Sequence, residues 1–227
     1  MWPKNTEEIL KILGKEEEIQ DFILVGGSAL SFYLKHRLSE DIDLFTAQDI
    51  LDENRIYKLL KKLKDKKIKI IPRFSKFNKK NQPIQYDYIL DKTKVTFYAY
   101  EFDFISKKEN SEILFDNLKI AKLKILMAMK TTVLNYRGKL RDYYDLYVLS
   151  KKFGLNKLIE ETLKIQPLFY NEKLFLKQLT GLIDIKENFL SSDLKPSYNI
   201  SKAEIEEYFK KEIEKYLKDK YGDKDKA

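Results

Sequence analysis

The hydrophobic period of this chain changes once, at about residue 115, and that change restricts the fold more than any other feature. Before it, short apolar runs and period-2 alternation dominate, as in buried or half-buried strands. After it, apolar residues recur at helical spacing almost to the end. The order predicts an α/β (α+β) protein: a mixed sheet with helices in residues 1–115, then a helical region in 116–227 that packs on the core and closes a cleft. At 227 residues the chain has room for one large domain or two small ones.

The first half resolves into a helix to about residue 19, capped at Thr6 with Glu7 and Glu8 in its first turn. The wholly apolar Phe22-Ile23-Leu24-Val25 then reads as a buried strand, and residues 28–36 as a short helix. Asp41-Ile42-Asp43-Leu44-Phe45 alternates as a second strand. A basic helix over 49–64 and strands over 67–75, 84–91 and 93–104 follow, the last two joined by a turn at Asp91-Lys92-Thr93. Helices are expected over 118–136 and 139–153, separated by Gly138 and closed by Gly154, then over about 156–164, 171–189 and 201–219.

Composition excludes several chemistries. There is no cysteine, so disulfides, thiolate metal sites and cysteine nucleophiles are absent. His36 is the only histidine, which removes histidine dyads and histidine metal clusters; beside Arg37 it reads as a surface residue that could reach a ligand. No apolar run is long enough for a membrane span or a signal peptide, and a cytoplasmic location is expected.

Net charge is +8, but it is concentrated. Residues 56–80 hold eleven Lys/Arg against Asp65 alone, so that stretch carries +10 and the rest of the chain about −2. Lysine abundance as such fits codon bias. The clustering fits a polyanionic partner, RNA or tRNA, as well as a solvated basic face.

Chemistry-bearing residues gather in the first 45 positions. Gly26-Gly27-Ser28 follows a strand and opens a helix, where free N–H groups and the dipole favour phosphate. Asp41 and Asp43 are two apart on a strand and share a face. Such a pair repels itself unless a divalent cation such as magnesium bridges carboxylate and phosphate oxygens. Either feature alone has an ordinary reading, a turn or a solvated strand.

Together, Val25-Gly26-Gly27-Ser28-Ala29-Leu30 and His36-Arg37-Leu38-Ser39-Glu40-Asp41-Ile42-Asp43-Leu44-Phe45 resemble the signature of the DNA polymerase β-type nucleotidyltransferase superfamily, and more narrowly its AbiEii/AbiGii toxin group. Met129-Lys130, Asn135-Tyr136-Arg137-Gly138 and Arg141-Asp142-Tyr143-Tyr144-Asp145-Leu146-Tyr147 resemble later motifs of that group. The resemblance implies transfer of an NMP from an NTP to an RNA or protein acceptor, with release of pyrophosphate. Mg2+ (or Mn2+) would be held by Asp41 and Asp43. Gly26, Gly27, Ser28, Arg37 and Ser39 would serve the phosphates, and Lys130, Asp142 and Asp145 the nucleotide, Lys130 also the developing charge. It further implies a toxin of a toxin–antitoxin or phage-defence pair, with a cognate antitoxin as partner.

Physical pattern adds modest support for Lys130, which lies on the helix face of Leu123, Leu126, Met127 and Leu134; a snorkelling lysine would look the same. Asp142 and Asp145 are neighbours at i, i+3 and could instead partner Arg137 or Arg141. One departure stands out. The superfamily commonly carries a third carboxylate on a later strand, and the matching Lys94-Val95-Thr96-Phe97 has Thr96 there, with Glu101 and Asp103 nearby. That loss bears on catalysis rather than on nucleotide binding, and it keeps open an NTP-binding or nucleic-acid-binding module without turnover.

Overall fold

The computed structural model describes residues 2–99, 103–182, 184–186, 195–197 and 200–222. The chain divides into two compact units, Met1–Leu123 and Lys124–Ala227.

Unit 1 is built on a seven-stranded mixed sheet of order β3-β4-β5-β2-β1-β7-β6. Its strands are β1 (Ile23–Val25), β2 (Ile42–Thr46), β3 (Ile70–Phe77), β4 (Pro83–Leu90), β5 (Thr93–Ala99), β6 (Ser111–Phe115) and β7 (Leu118–Ala121). Its helices are α1 (Lys4–Gly14), α2 (Gly26–Leu34), α3 (Glu53–Asp65) and the single turn α4 (Asp103–Ser106). β1 runs antiparallel to β2 and parallel to β7, and β2 runs parallel to β5. This central place explains why Ile23, Leu24 and Val25 are all apolar and all buried. β2 alternates instead: Ile42, Leu44 and Thr46 are buried, while Asp41, Asp43 and Phe45 are partly exposed.

Three expectations change here. Thr6 does not cap α1; Pro3 precedes the helix, and buried Thr6 donates from Oγ1 to the carbonyl of Glu40 at 3.0 Å. His36 is fully buried, not a surface residue. The helix expected over 118–136 begins only at Leu123, because Leu118–Ala121 pairs in parallel with β1 and antiparallel with β6. A four-residue strand followed by a helix with one intervening residue leaves no clear break in the apolar pattern, so periodicity alone merged them. Of the strand expected over 93–104, residues 100–102 lie outside the described residues, Glu101 among them, as does the Asp103 side chain.

Unit 2 comprises α5 (Leu123–Leu134, its first residue in unit 1), α6 (Leu140–Phe153), α7 (Leu155–Ile165), α8 (Glu172–Leu179) and α9 (Lys202–Tyr221). Its core includes Leu126, Leu134, Tyr144, Leu149, Leu158, Phe175 and Phe209. α8 ends well before residue 189, and 187–189 fall outside the described residues. Asn171 and Ser201 cap α8 and α9 by accepting from the backbone N–H groups of Leu174 and Glu204.

Candidate active site

In unit 1 the strand–glycine–helix–strand sequence forms one packed cluster. β1 ends at Val25, whose Cα partner on β2 is Asp43. The chain turns into α2 at Gly26 with φ +71°, a conformation that favours glycine. A Cβ on Gly26 would overlap the Asp43 carboxylate. A Cβ on Gly27 would overlap the Arg37 guanidinium and meet Ser39 Oγ at 3.1 Å. The two glycines therefore make room for specific polar side chains.

α2 stops at Lys35, which adopts φ 51°, and the segment 36–41 returns beneath the helix start. It carries His36, Arg37 and Ser39, all buried. Arg37 Nη1 donates to the carbonyl of Leu38 at 3.0 Å. The buried Ser28 hydroxyl donates to the carbonyl of Asp41 and lies 3.0 Å from Ser39 Oγ, which must then supply the proton of that second contact. Trp2 Nε1 donates to the carbonyl of Ser28 at 2.9 Å, and its ring stacks on Phe32 at 5.4 Å. Ser28 thus fixes the backbone of one aspartate, and Gly26 accommodates the carboxylate of the other. Any anion at the start of α2 would meet backbone N–H groups, which the first helical turn leaves without intrahelical partners.

Asp43 lies on β2 and Asp41 immediately precedes that strand. Two carboxylates so spaced are a donor set that suits Mg2+ or Mn2+, which binds one or two protein carboxylates and takes its remaining ligands from water and substrate phosphate. Among the described residues no group of three His, Cys, Asp or Glu side chains is placed to hold a metal ion. Strand register accounts for the missing third acid: the Cα partner of Asp43 on β5 is Thr96. The next strand places Asp87 opposite Thr96. Asp87, which sequence reasoning passed over, is buried, receives Gln85 Nε2 at 2.8 Å and pairs with Lys94 Nζ at 3.0 Å. Its only sequence signal was an acid in an apolar strand.

In unit 2, Lys130 on α5 and Asp142 and Asp145 on α6 form a buried triad. Lys130 is 8% exposed, and its Nζ lies 2.9 Å from Asp142 Oδ1 and 2.9 Å from Asp145 Oδ2. Asp142 also accepts the backbone N–H of Lys139 at 3.2 Å, closing the start of α6, and has Arg137 Nε at 3.6 Å. The i, i+3 spacing thus aims both acids at one lysine, and Lys130 is buried rather than snorkelling.

The basic segment 56–80 splits in two. Lys62 on α3 pairs with Glu18 at 2.8 Å and Glu16 at 3.7 Å, and Lys66, just past the helix, with Glu16, so part of the segment's charge is met within the chain. Arg55 donates to the carbonyls of Glu18 and Glu17 and pairs with Asp21. Lys58, Lys61 and Lys64 also lie on α3, and Arg73 and Lys76 lie on β3, an edge strand exposed from Pro72 to Phe77.

This fold and carboxylate arrangement define a nucleotidyltransferase-like protein. The chain belongs to the nucleotidyl transferase AbiEii toxin family of type IV toxin–antitoxin systems, whose model matches residues 8–223. An uncharacterised protein of Aquifex aeolicus is 29% identical over 199 residues, covering 87% of this chain and 88% of that one. Among solved structures, JHP933 from Helicobacter pylori is similar at TM-score 0.52 and 18% identity, over 96% of this chain and 94% of that chain. The nucleotidyltransferase toxin MenT4 from Mycobacterium tuberculosis is similar at TM-score 0.52 and 11% identity, over 92% and 84%. At these identities the two structures establish likeness of fold. Among the described residues no helix is long and apolar enough to cross a membrane.

Proposed function

We propose that this chain moves a nucleoside monophosphate from an NTP to an acceptor, with Mg2+ or Mn2+ held by Asp41 and Asp43. An acceptor oxygen attacks the α-phosphorus, the bond to the bridging oxygen breaks, and pyrophosphate leaves. The bound metal would supply charge neutralisation at the phosphates. The protein's own part is placement: the N–H groups opening α2 at Gly26, Gly27 and Ser28 hold phosphate oxygens, and Arg37 and Ser39 keep that turn in place. Lys130, Asp142 and Asp145 are the unit 2 residues we assign to the nucleotide, on the resemblance of the motifs around them. The cognate antitoxin is the expected protein partner, and a polyanionic RNA is the acceptor best suited to the basic 56–80 segment.

One observation carries this reading. The Asp43 carboxylate occupies the space that Gly26 leaves by lacking a Cβ. The residue we assign to the metal and the turn we assign to phosphate thus pack as a single element, which supports the reading. The test is incubation with Mg2+ and each labelled NTP, following pyrophosphate release with RNA and with protein acceptors. NTP-dependent pyrophosphate release that fails without divalent metal is the expected result; binding without release across the panel overturns transfer.

Thr96 opposite Asp43 favours a second reading, an NTP-binding or nucleic-acid-binding module without turnover. A third acid beside the pair would both hold metal and take the acceptor's proton, and threonine does neither. Binding without release in the same assay selects this reading.

A further inference from the structure

The sheet face that carries the aspartates does not end at Asp43. Register places Asp43, Thr96, Asp87 and Phe74 in one row across four neighbouring strands, β2, β5, β4 and β3. The adjacent row is Phe45, Tyr98, Gln85 and Lys76. In-register residues project to the same face, and the Phe45 and Tyr98 rings meet at 5.2 Å. The face runs from an acid pair, across a threonine, to an exposed aromatic and a cation on the sheet edge.

Thr96 and Asp87 are buried, so the accessible part of this face is the row of half-buried Phe45, Tyr98 and Gln85 beside them, together with the edge. Among the described residues of these rows the acid between the aspartates and the edge is Asp87, and Lys94 balances its charge at 3.0 Å. At the edge, Phe74 is 52% exposed and Lys76 is exposed beside it. Edge strands are commonly protected by charge and proline, as Pro72, Arg73 and Lys76 do here; an exposed phenylalanine among them works against that protection. Aromatic faces alternating with cations are the means by which proteins hold unpaired bases and their phosphates without regard to sequence. Three strand spacings separate Asp43 from Phe74, about 14 Å, roughly the length of four stacked nucleotides.

We propose that this face docks the single-stranded end of a polynucleotide, with Phe74 stacking on a base and Lys76 contacting phosphate, so that the end is led toward Asp41 and Asp43. The proposal deepens the acceptor assignment above and rests on it for the direction of the strand. It moves the dock from the α3 lysines, one of which, Lys62, faces Glu16 and Glu18, to the outer rows of the sheet.

The test uses the full chain and short labelled RNA and DNA oligonucleotides, read by fluorescence anisotropy over a salt series. Phe74→Ala should weaken binding by roughly tenfold with the salt slope unchanged, since stacking carries no counterion release. Phe74→Tyr should restore it. Lys76→Gln should lower the salt slope by about one unit. Lys58→Gln combined with Lys61→Gln, on exposed α3 positions, should lose less affinity than Phe74→Ala. RNA alone, or RNA and DNA alike, agrees with the proposal and separates the two sources. It is overturned if Phe74→Ala binds like the parent, if the α3 variant alone loses binding, or if the parent binds neither oligonucleotide. Capture of the antitoxin that Phe74→Ala abolishes, without oligonucleotide binding, would give the edge to strand addition by a protein. Mg–NTP binding by the same variants separates the two readings. A parent that binds oligonucleotide but no NTP overturns the transferase and leaves this dock standing. A parent that releases pyrophosphate with no dependence on Phe74 does the reverse.

Discussion

Gly26 and Asp43 share one space. Gly26 turns the chain at φ +71°, and the Asp43 carboxylate lies where a Cβ on that residue would be. Gly26→Ala therefore combines a left-handed backbone with a displaced carboxylate. The backbone alone costs about 1–3 kcal/mol. We expect a lowered Tm together with loss of metal-dependent NTP binding. A variant that lowers Tm but binds Mg–NTP like the parent would show that the Asp43 position is not needed for the metal.

Asp41→Ala and Asp43→Ala should behave differently from Gly26→Ala. Each removes one of two like charges at the start of β2, whose buried side is carried by Ile42 and Leu44. Neither position has a left-handed backbone, so the fold should be retained. Binding of NTP with Mg2+ or Mn2+, followed by calorimetry, should disappear. Retained binding in either variant refutes the metal assignment.

Lys130 is joined to two buried carboxylates, so truncation reaches the fold before the ligand. Lys130→Ala leaves Asp142 and Asp145 buried without their shared cation, a loss of about 3–5 kcal/mol. Adding Asp145→Asn should recover part of it, because one of the stranded charges is then gone. Lys130→Arg keeps the charge and is the variant for the ligand question. If Lys130 serves phosphate, Lys130→Arg should change affinity for the triphosphate more than for the nucleoside. Equal effects on both would make the triad a purely structural joint between α5 and α6.

The sequence made the strand–glycine–helix–strand order legible because each step is local. A fully apolar run, two glycines and an alternating Asp-x-Asp segment each report their own environment. The buried state of His36 and Arg37 was not legible. Their burial depends on a return segment passing under α2, and polar residues in such a segment look like any surface loop. Thr96 was flagged by motif position, and pairing of β2 with β5 supplies the reason it matters. Asp87 and Phe74 could not be placed beside it from sequence, since register across β5, β4 and β3 is a non-local property and a bulge between Pro72 and Phe74 shifts the count. The β6–β7 hairpin was missed because β7 is four residues long and leads almost directly into α5.

Tyr143 supplies a pH test of a buried residue on α6. It is buried on α6, and its hydroxyl donates to the carbonyl of Gln178 at 2.8 Å. Burial, then the charges of Asp142, Glu206 and Asp184, push its pKa from 10.0 to about 12. Below pH 10 the phenol keeps its proton in both folded and unfolded chains, so its contribution to stability is fully present. Between pH 10 and about 12 the unfolded chain releases that proton while the folded one retains it, and stability falls. Tyr143→Phe removes this titration. It should be less stable at neutral pH by about 0.5–1.5 kcal/mol for the lost hydrogen bond, yet decline less steeply across that window. Tyr33, Tyr86, Tyr88, Tyr170, Tyr208 and Tyr216, whose pKa values burial also raises, leave a residual slope in the same direction. Urea unfolding at pH values on either side of 10 measures both quantities. A Tyr143→Phe slope as steep as the parent's would place the alkaline sensitivity in those other tyrosines.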